Sequence, residues 1–225
     1  MRKLIGIVAL PGLLLCASLV SAASQEAAER IGIGKKLLEQ GNVEAAIGEF
    51  HKAAAIDPKY GAAQLHLGHA YERANRSDEA VDAYRKSIEL EPRNFYARNN
   101  LGVLYDRKGM YDEAIAEFQS ALKNDPNNAM ALKNLEIAKK NKAATQEREA
   151  VIARAEKDVA AQPGDPTRSY QLARVYATYG NKEAAIEWLG KAIEKGYKDL
   201  AYVKTDPAFA AMREERDFQL LLLKK

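Results

Sequence analysis

Stacked antiparallel helix pairs, an all-α right-handed α-solenoid, are predicted by three observations on this 225-residue sequence. Gly34, Gly68 and Gly102 recur every 34 residues, as do Pro58, Pro92 and Pro126, with Ala46, Ala80 and Ala114 between them. Within each period, apolar residues fall four apart, as in Ile33 with Leu37 and Leu67 with Tyr71, so they share one helix face. Each period also carries one residue suited to a left-handed turn and one proline, which together close two helices per unit.

The chain opens on a segment that reads as an address rather than as fold. Arg2 and Lys3 precede an apolar run over residues 4–15, and Val20-Ser21-Ala22 puts small residues where a signal peptidase reads, which predicts cleavage after Ala22. The run is shorter than the roughly 20 apolar residues of a membrane span and is interrupted by Pro11-Gly12. Export to the periplasm or the medium is the expectation. Leu13-Leu14-Leu15-Cys16 leaves a lipoprotein alternative, although Leu15 is bulky for such a site. Without Arg2 and Lys3 the formal charge falls from +3 to +1, too little to attract nucleic acid or anionic lipid in general.

Units 27–60, 61–94 and 95–128 follow, each with a reason for its columns. Small residues at Gly34, Ala46 and Ala53 let paired helices approach, and Phe50, Tyr84 and Phe118 fill the space beside them. Gly41, Asn75 and Gly109 fall at the turn between helices, where a left-handed backbone is required. Glu44, Asp78 with Glu79, and Asp112 with Glu113 open the second helices, where the helix dipole favours negative charge.

The period weakens afterwards. Residues 129–165 are either a fourth unit with a three-residue insertion or a long connecting helix; Leu132 and Leu135 fit a first helix, whereas Glu136 and Lys139 do not. Residues 166–199 return to register as a divergent unit, with Ala173 in place of the glycine, Leu189 in place of the aromatic and Tyr197 in place of the proline. Residues 200–225, with Asp206-Pro207-Ala208-Phe209 and a final Phe-Leu cluster, supply the cap that an open stack needs.

These columns resemble the tetratricopeptide repeat family over residues 27–224. The resemblance implies a superhelix whose concave side is lined by first helices, and a protein or peptide partner bound there. In that register the groove carries Lys35 and Leu38, then His69, Glu72 and Arg73, then Tyr96, Asn99, Val103, Asp106 and Arg107. Ala28, Ile31, Glu39, Ala62 and Leu65 complete the lining, which is apolar at its first-unit end; Ile31 and Leu38 there are candidates for engaging a second copy. One subgroup of the family clamps a chaperone's terminal carboxylate. At its positions this chain has Ile31, Lys35, His66, Tyr96 and Asn100, with only one lysine retained, so chaperone-tail binding is not expected. The resemblance also implies a bacterial envelope scaffold, or an outer-membrane lipoprotein that assists pilus or secretion-system assembly.

No catalytic constellation, cofactor motif or metal site is expected. His66 and His69 sit three apart, but no further Cys or His converges on them. Carboxylates fall at helix starts and on solvated faces, and no H-E-x-x-H, G-x-S-x-G or phosphate-loop pattern is present. Lys139, Lys140 and Lys142 have acidic neighbours and read as a solvated face, and Arg93 and Arg98 beside Phe95 and Tyr96 are weak evidence for nucleic acid. Trp188, beside Leu189 in the divergent unit, reads either as core packing or as an exposed contact.

Overall fold

A computed structural model describes residues 11–223, with side chains from residue 22 onward. Its helices are α1 (Pro11–Glu39), α2 (Val43–Ile56), α3 (Gly61–Arg73), α4 (Ser77–Leu90), α5 (Phe95–Arg107), α6 (Tyr111–Leu122), α7 (Ala129–Ala161), α8 (Pro166–Thr178), α9 (Lys182–Glu194), α10 (Leu200–Thr205) and α11 (Arg216–Leu221), with a 3-10 turn over Pro207–Met212. No strand occurs among the described residues, as the all-helical reading requires. Residues 1–10 of the expected export signal lie outside the described residues, as does the Cys16 side chain; the junction after Ala22 falls within α1. Among the described residues, no helix is long and apolar enough to cross a membrane.

The chain divides into two compact units, Met1–Lys142 and Ala143–Lys225. In the first, α1 pairs with α2, α3 with α4 and α5 with α6, and the pairs stack through α2 on α3 and α4 on α5. Close approach within each pair is possible because the column glycines are bare. A Cβ at Gly34, Gly68 or Gly102 would lie 2.4, 2.5 or 2.6 Å from the ring of Phe50, Tyr84 or Phe118. All three rings are buried, and the small residues Ala46, Ala80 and Ala114 beside them are buried too. In the divergent unit both partners change together. Leu189 replaces the ring, and the space so released takes the methyl of Ala173; both are fully buried.

The turn residues do what their types require. Gly41, Asn75 and Gly109 have φ of 80°, 59° and 74°, and Gly180 repeats this at 77° in the second unit. Next, α2, α4 and α6 begin without a side-chain cap, but Glu44, Asp78 with Glu79, and Asp112 with Glu113 occupy their first turns. Negative charge there offsets the exposed N–H groups of the helix start.

Residues 129–161 form one helix of 33 residues, not a helix pair. The reason is the next position in the turn column. Thirty-four residues after Gly109 stands Ala143, which has no left-handed preference, so nothing turns the chain and the helix runs on. Its first half closes the first unit: Ala131 and Ala138 are buried, with Leu135 packed against the same core.

The open end of the stack is equally plain. Ile33 is 45% exposed, whereas Leu67 and Leu101 in the same column are 1% exposed, because only the later two have a preceding pair to pack on. In the second unit α8 pairs with α9, and the 3-10 turn and α11 cover them. Phe209, Met212 and Phe218 are buried there, as expected of a cap, and Trp188 is half-buried against this core with the Lys191 ammonium 4.0 Å from its ring centre. Asp206 anchors the segment. Its fully buried carboxylate accepts from the Tyr170 hydroxyl and from the Ala208 N–H at 3.0 Å, and lies 2.7 Å from the Arg174 guanidinium. Burial works to raise the Asp206 pKa, but these three donors outweigh it and hold the group below its ordinary value.

The glycine column gives a test with opposite signs at two sites. Gly68→Ala gains about 1 kcal/mol of helix propensity yet forces its methyl into the Tyr84 ring, so a net loss of about 1–3 kcal/mol is expected in urea unfolding. Gly48→Ala, in α2 with nothing near its would-be Cβ, is expected to gain about 0.5–1 kcal/mol. Stabilisation by Gly68→Ala would contradict the packing argument.

Candidate functional site

The groove positions lie on α1, α3, α5 and the first half of α7, and the fold divides them into three groups. Ile31 and Leu38 are buried in the first unit's core, so the apolar first-unit end expected of the groove is not at its surface. They point inward because this side of α1 packs on α2 and on the following first helix, α3; Asn99, in the Ile31 column on α5, is likewise only 4% exposed.

A second group ties one first helix to the next. The Arg73 guanidinium donates to the Leu38 carbonyl at 3.5 Å, Arg107 to the Glu72 carboxylate, and the Asn141 amide to both Asp106 oxygens at 3.0 and 3.1 Å. Each donor lies 35 residues after its acceptor, one position beyond the repeat, so a single step recurs along the stack. A second rung runs from Asn134 to the Asn99 carbonyl oxygen at 2.9 Å. On the second-helix side Lys108 reaches Asp78 at 2.6 Å, and Lys142 reaches Asp112 in the same way. Glu72 also accepts from Tyr84, the ring under which Gly68 sits, so the groove rung is joined to the pair core. Burial, then the Glu72 carboxylate, pushes the Tyr84 phenol far above its ordinary value and keeps it a donor.

The third group is open to solvent. Lys35, His69 and Tyr96 are exposed, Tyr96 by 64%, and Val103 is half-buried. In the same columns α7 adds Met130, 52% exposed, and Ile137, 42% exposed. Sequence reading missed these two because the groove columns were assigned only for the first three units; their signal was the 34-residue step from Tyr96 and Val103. The rungs were also legible in principle, as opposite or complementary polar residues 35 and 30 apart, but only the fold shows which of them meet.

The remaining polar candidates are accounted for locally. His66 stacks on Phe50 with ring centres 5.4 Å apart; burial, with Lys35 and His69 adding positive charge, lowers its pKa to about 4. Among the described residues no group of three or more His, Cys, Asp or Glu is placed to hold a metal ion. Arg98 bonds Glu117 at 2.9 Å and the Pro92 carbonyl at 3.1 Å, and Phe95 meets Tyr96 edge-on, so that basic-aromatic cluster is engaged in helix-start packing. His51 meets the Tyr71 hydroxyl at 2.8 Å.

Three family models, each described as tetratricopeptide repeat, match residues 37–83, 65–129 and 168–194. Together they span more than half of the described chain and fall on the paired helices of both units; the chain is a tetratricopeptide-repeat protein. No curated protein matches it. Among solved structures it is similar to the first repeat domain of Spaghetti (RPAP3) bound to an HSP90 peptide, at 23% identity over 53% of this chain and 95% of that one, TM-score 0.51. It is also similar to PilF of Pseudomonas aeruginosa, at 18% identity over 89% of this chain and 90% of that one, TM-score 0.50. A third, the Sgt2 repeat domain of Aspergillus fumigatus, has 16% identity over 54% of this chain and 82% of that one, TM-score 0.52. These likenesses establish the fold.

His66 makes the first unit sensitive to acid. Its folded pKa lies below the ordinary value of 6.5, so its neutral form is favoured by folding. Stability is full above about pH 6.5 and falls as pH drops toward 4, by about 1–2 kcal/mol after allowance for partial solvation. His66→Phe, which keeps the stack and cannot titrate, is expected to flatten that part of the stability profile. An unchanged slope between pH 6.5 and 4.5 would assign the acid loss elsewhere.

Proposed function

We propose that this protein is an interaction scaffold that binds a peptide or helix of a protein partner on the concave face of its first unit, and that it works by binding rather than turnover. The observation that carries this reading is the division of groove side chains. Rungs built on Arg73, Arg107, Asn134 and Asn141 fix the first helices relative to one another, while Lys35, His69, Tyr96, Met130 and Ile137 remain exposed on the same columns. A rigid frame with unspent side chains is what recognition without ordering cost requires. That a similar fold is seen holding an HSP90 peptide supports the class of partner. The terminal-carboxylate clamp itself does not transfer, because Ile31 is buried and His66 is stacked and neutral where cations or amides would be needed.

Affinity capture with the exported chain, compared with a Tyr96→Ala, His69→Ala variant, tests the site. Both residues are exposed, so folding is expected to be retained. A stoichiometric partner lost in the variant is the expected result. A partner retained by the variant would move binding to another face.

The basic start, the apolar run and the small residues before Ala23 support export; the bacterial envelope role rests on the resemblance to exported members of the repeat family. Mass analysis of the exported chain is expected to give a start at Ala23. A start at Cys16 with membrane partitioning, both abolished by Cys16→Ser, would establish the lipoprotein form instead.

A further inference from the structure

Beside the cap of the second unit lies a hollow of about 400 Å³, lined by Lys204, Arg213, Phe218, Gln219, Leu222 and Leu223. That volume is at the lower end of the range for small-molecule pockets. The lining comes from the last turn of α10, the residue after the 3-10 turn, and α11 with the turn that follows it. Two hydrogen bonds tie these elements together: the Arg213 guanidinium donates to the Thr205 carbonyl at 3.2 Å, and the Gln219 amide donates to the Arg213 carbonyl at 3.0 Å. The buried Phe218 ring packs on Phe209 with ring centres 5.5 Å apart and so fixes α11 on the cap. The hollow is part of the folded frame, and a ligand need not order it.

Its chemistry is divided. Phe218, Leu222 and Leu223 supply an apolar wall, with Leu223 74% exposed, and Lys204 and Arg213 are the charged groups of the lining. Because Arg213 bonds the carbonyl of Thr205, the residue after Lys204, both positive charges gather at one end. Neither has an ion pair among the described residues.

The carboxylates of this segment are placed elsewhere. Asp199 accepts from the Tyr202 N–H at the start of α10, and Asp206 is buried with Tyr170 and Arg174. Glu215 pairs with Lys182, and Asp217 lines a separate hollow with Lys182, Glu183 and Glu187. Glu214 follows Arg213 in sequence but is exposed and does not line the hollow. Two like charges beside an apolar wall, with no carboxylate in the lining, suit an anion that brings its own apolar body.

We propose that this hollow binds a free medium-chain carboxylate, an aliphatic chain of about eight to twelve carbons, with the chain on Phe218, Leu222 and Leu223 and the carboxylate at Lys204 and Arg213. The site belongs to the second unit and does not depend on the reading of the first unit's groove. A free carboxylate brings both parts at once. In a bilayer the head groups are outermost, so a chain would have to leave the membrane to reach Phe218.

Calorimetric titration of the full chain with decanoate and with decylammonium, which share a chain and differ in the sign of the head group, tests the site near neutral pH. Decanoate is expected to bind about tenfold or more tighter than decylammonium, and acetate in about hundredfold excess is expected not to displace it. Lys204→Gln with Arg213→Gln keeps amide donors and removes both charges; it is expected to weaken decanoate about tenfold and to erase the preference. Leu223→Ser is expected to weaken it several-fold through the apolar wall. All three residues are exposed, and circular dichroism checks that the variants fold. Equal binding of the two amphiphiles, no binding of decanoate at about 1 mM, displacement by acetate, or an unchanged affinity in the double variant would overturn the proposal. Sedimentation with anionic phospholipid vesicles in the absence of any decanoate binding would replace it with a membrane-surface role.

Discussion

The structure depends on how closely two helices of a pair can approach. Gly34, Gly68 and Gly102 have no Cβ, and the rings of Phe50, Tyr84 and Phe118 lie where one would be. That approach buries the alanines beside each ring and sets the spacing at which the next pair can stack. Where the aromatic is absent, at Leu189, the glycine is absent too, at Ala173, and the second unit still closes. The pair contact, and not either residue type alone, is the conserved physical requirement within this chain.

Stacking then places side chains of successive repeats at a fixed offset. Because each first helix repeats the one before, a donor one position beyond the period meets the acceptor of its neighbour: Arg73 at Leu38, Arg107 at Glu72, Asn141 at Asp106. Each exposed rung is individually worth little, about 0.5–1 kcal/mol at most. Their contribution is positional: they settle which groove residues are consumed by the frame and which are left over. Tyr84 links the two systems, its ring packed over Gly68 and its hydroxyl on Glu72.

The end of the array is set by a missing turn. Ala143 stands where Gly41, Asn75 and Gly109 turn the chain, so α7 continues for 33 residues and offers only its first half to the first unit. That half caps the core with Ala131, Ala138 and Leu135 and, on its other side, extends the groove by Met130 and Ile137. One substitution in the turn column therefore ends the repeat and creates the most apolar part of the exposed groove.

Local chemistry was legible from residues 27–128 before any coordinates. Positive-φ turns need Gly or Asn, acidic residues belong at helix starts, and small residues belong beneath rings; each is a property of one or two residues and their spacing, and each holds at Gly41, Asn75, Glu44, Asp78 and Gly68. A period of 34 residues made the fold class readable for the same reason, since every repeat tests the same local rules again. The groove was only half legible. Register assigns a residue to the first-helix side, but exposure depends on whether a neighbouring pair covers it, and so Ile31 and Leu38 were placed at the surface when they are in the core. Whether Glu72, Asp106 and Asn99 are free to bind a partner depends on groups 35 residues away, and only tertiary structure decides which distant donors arrive.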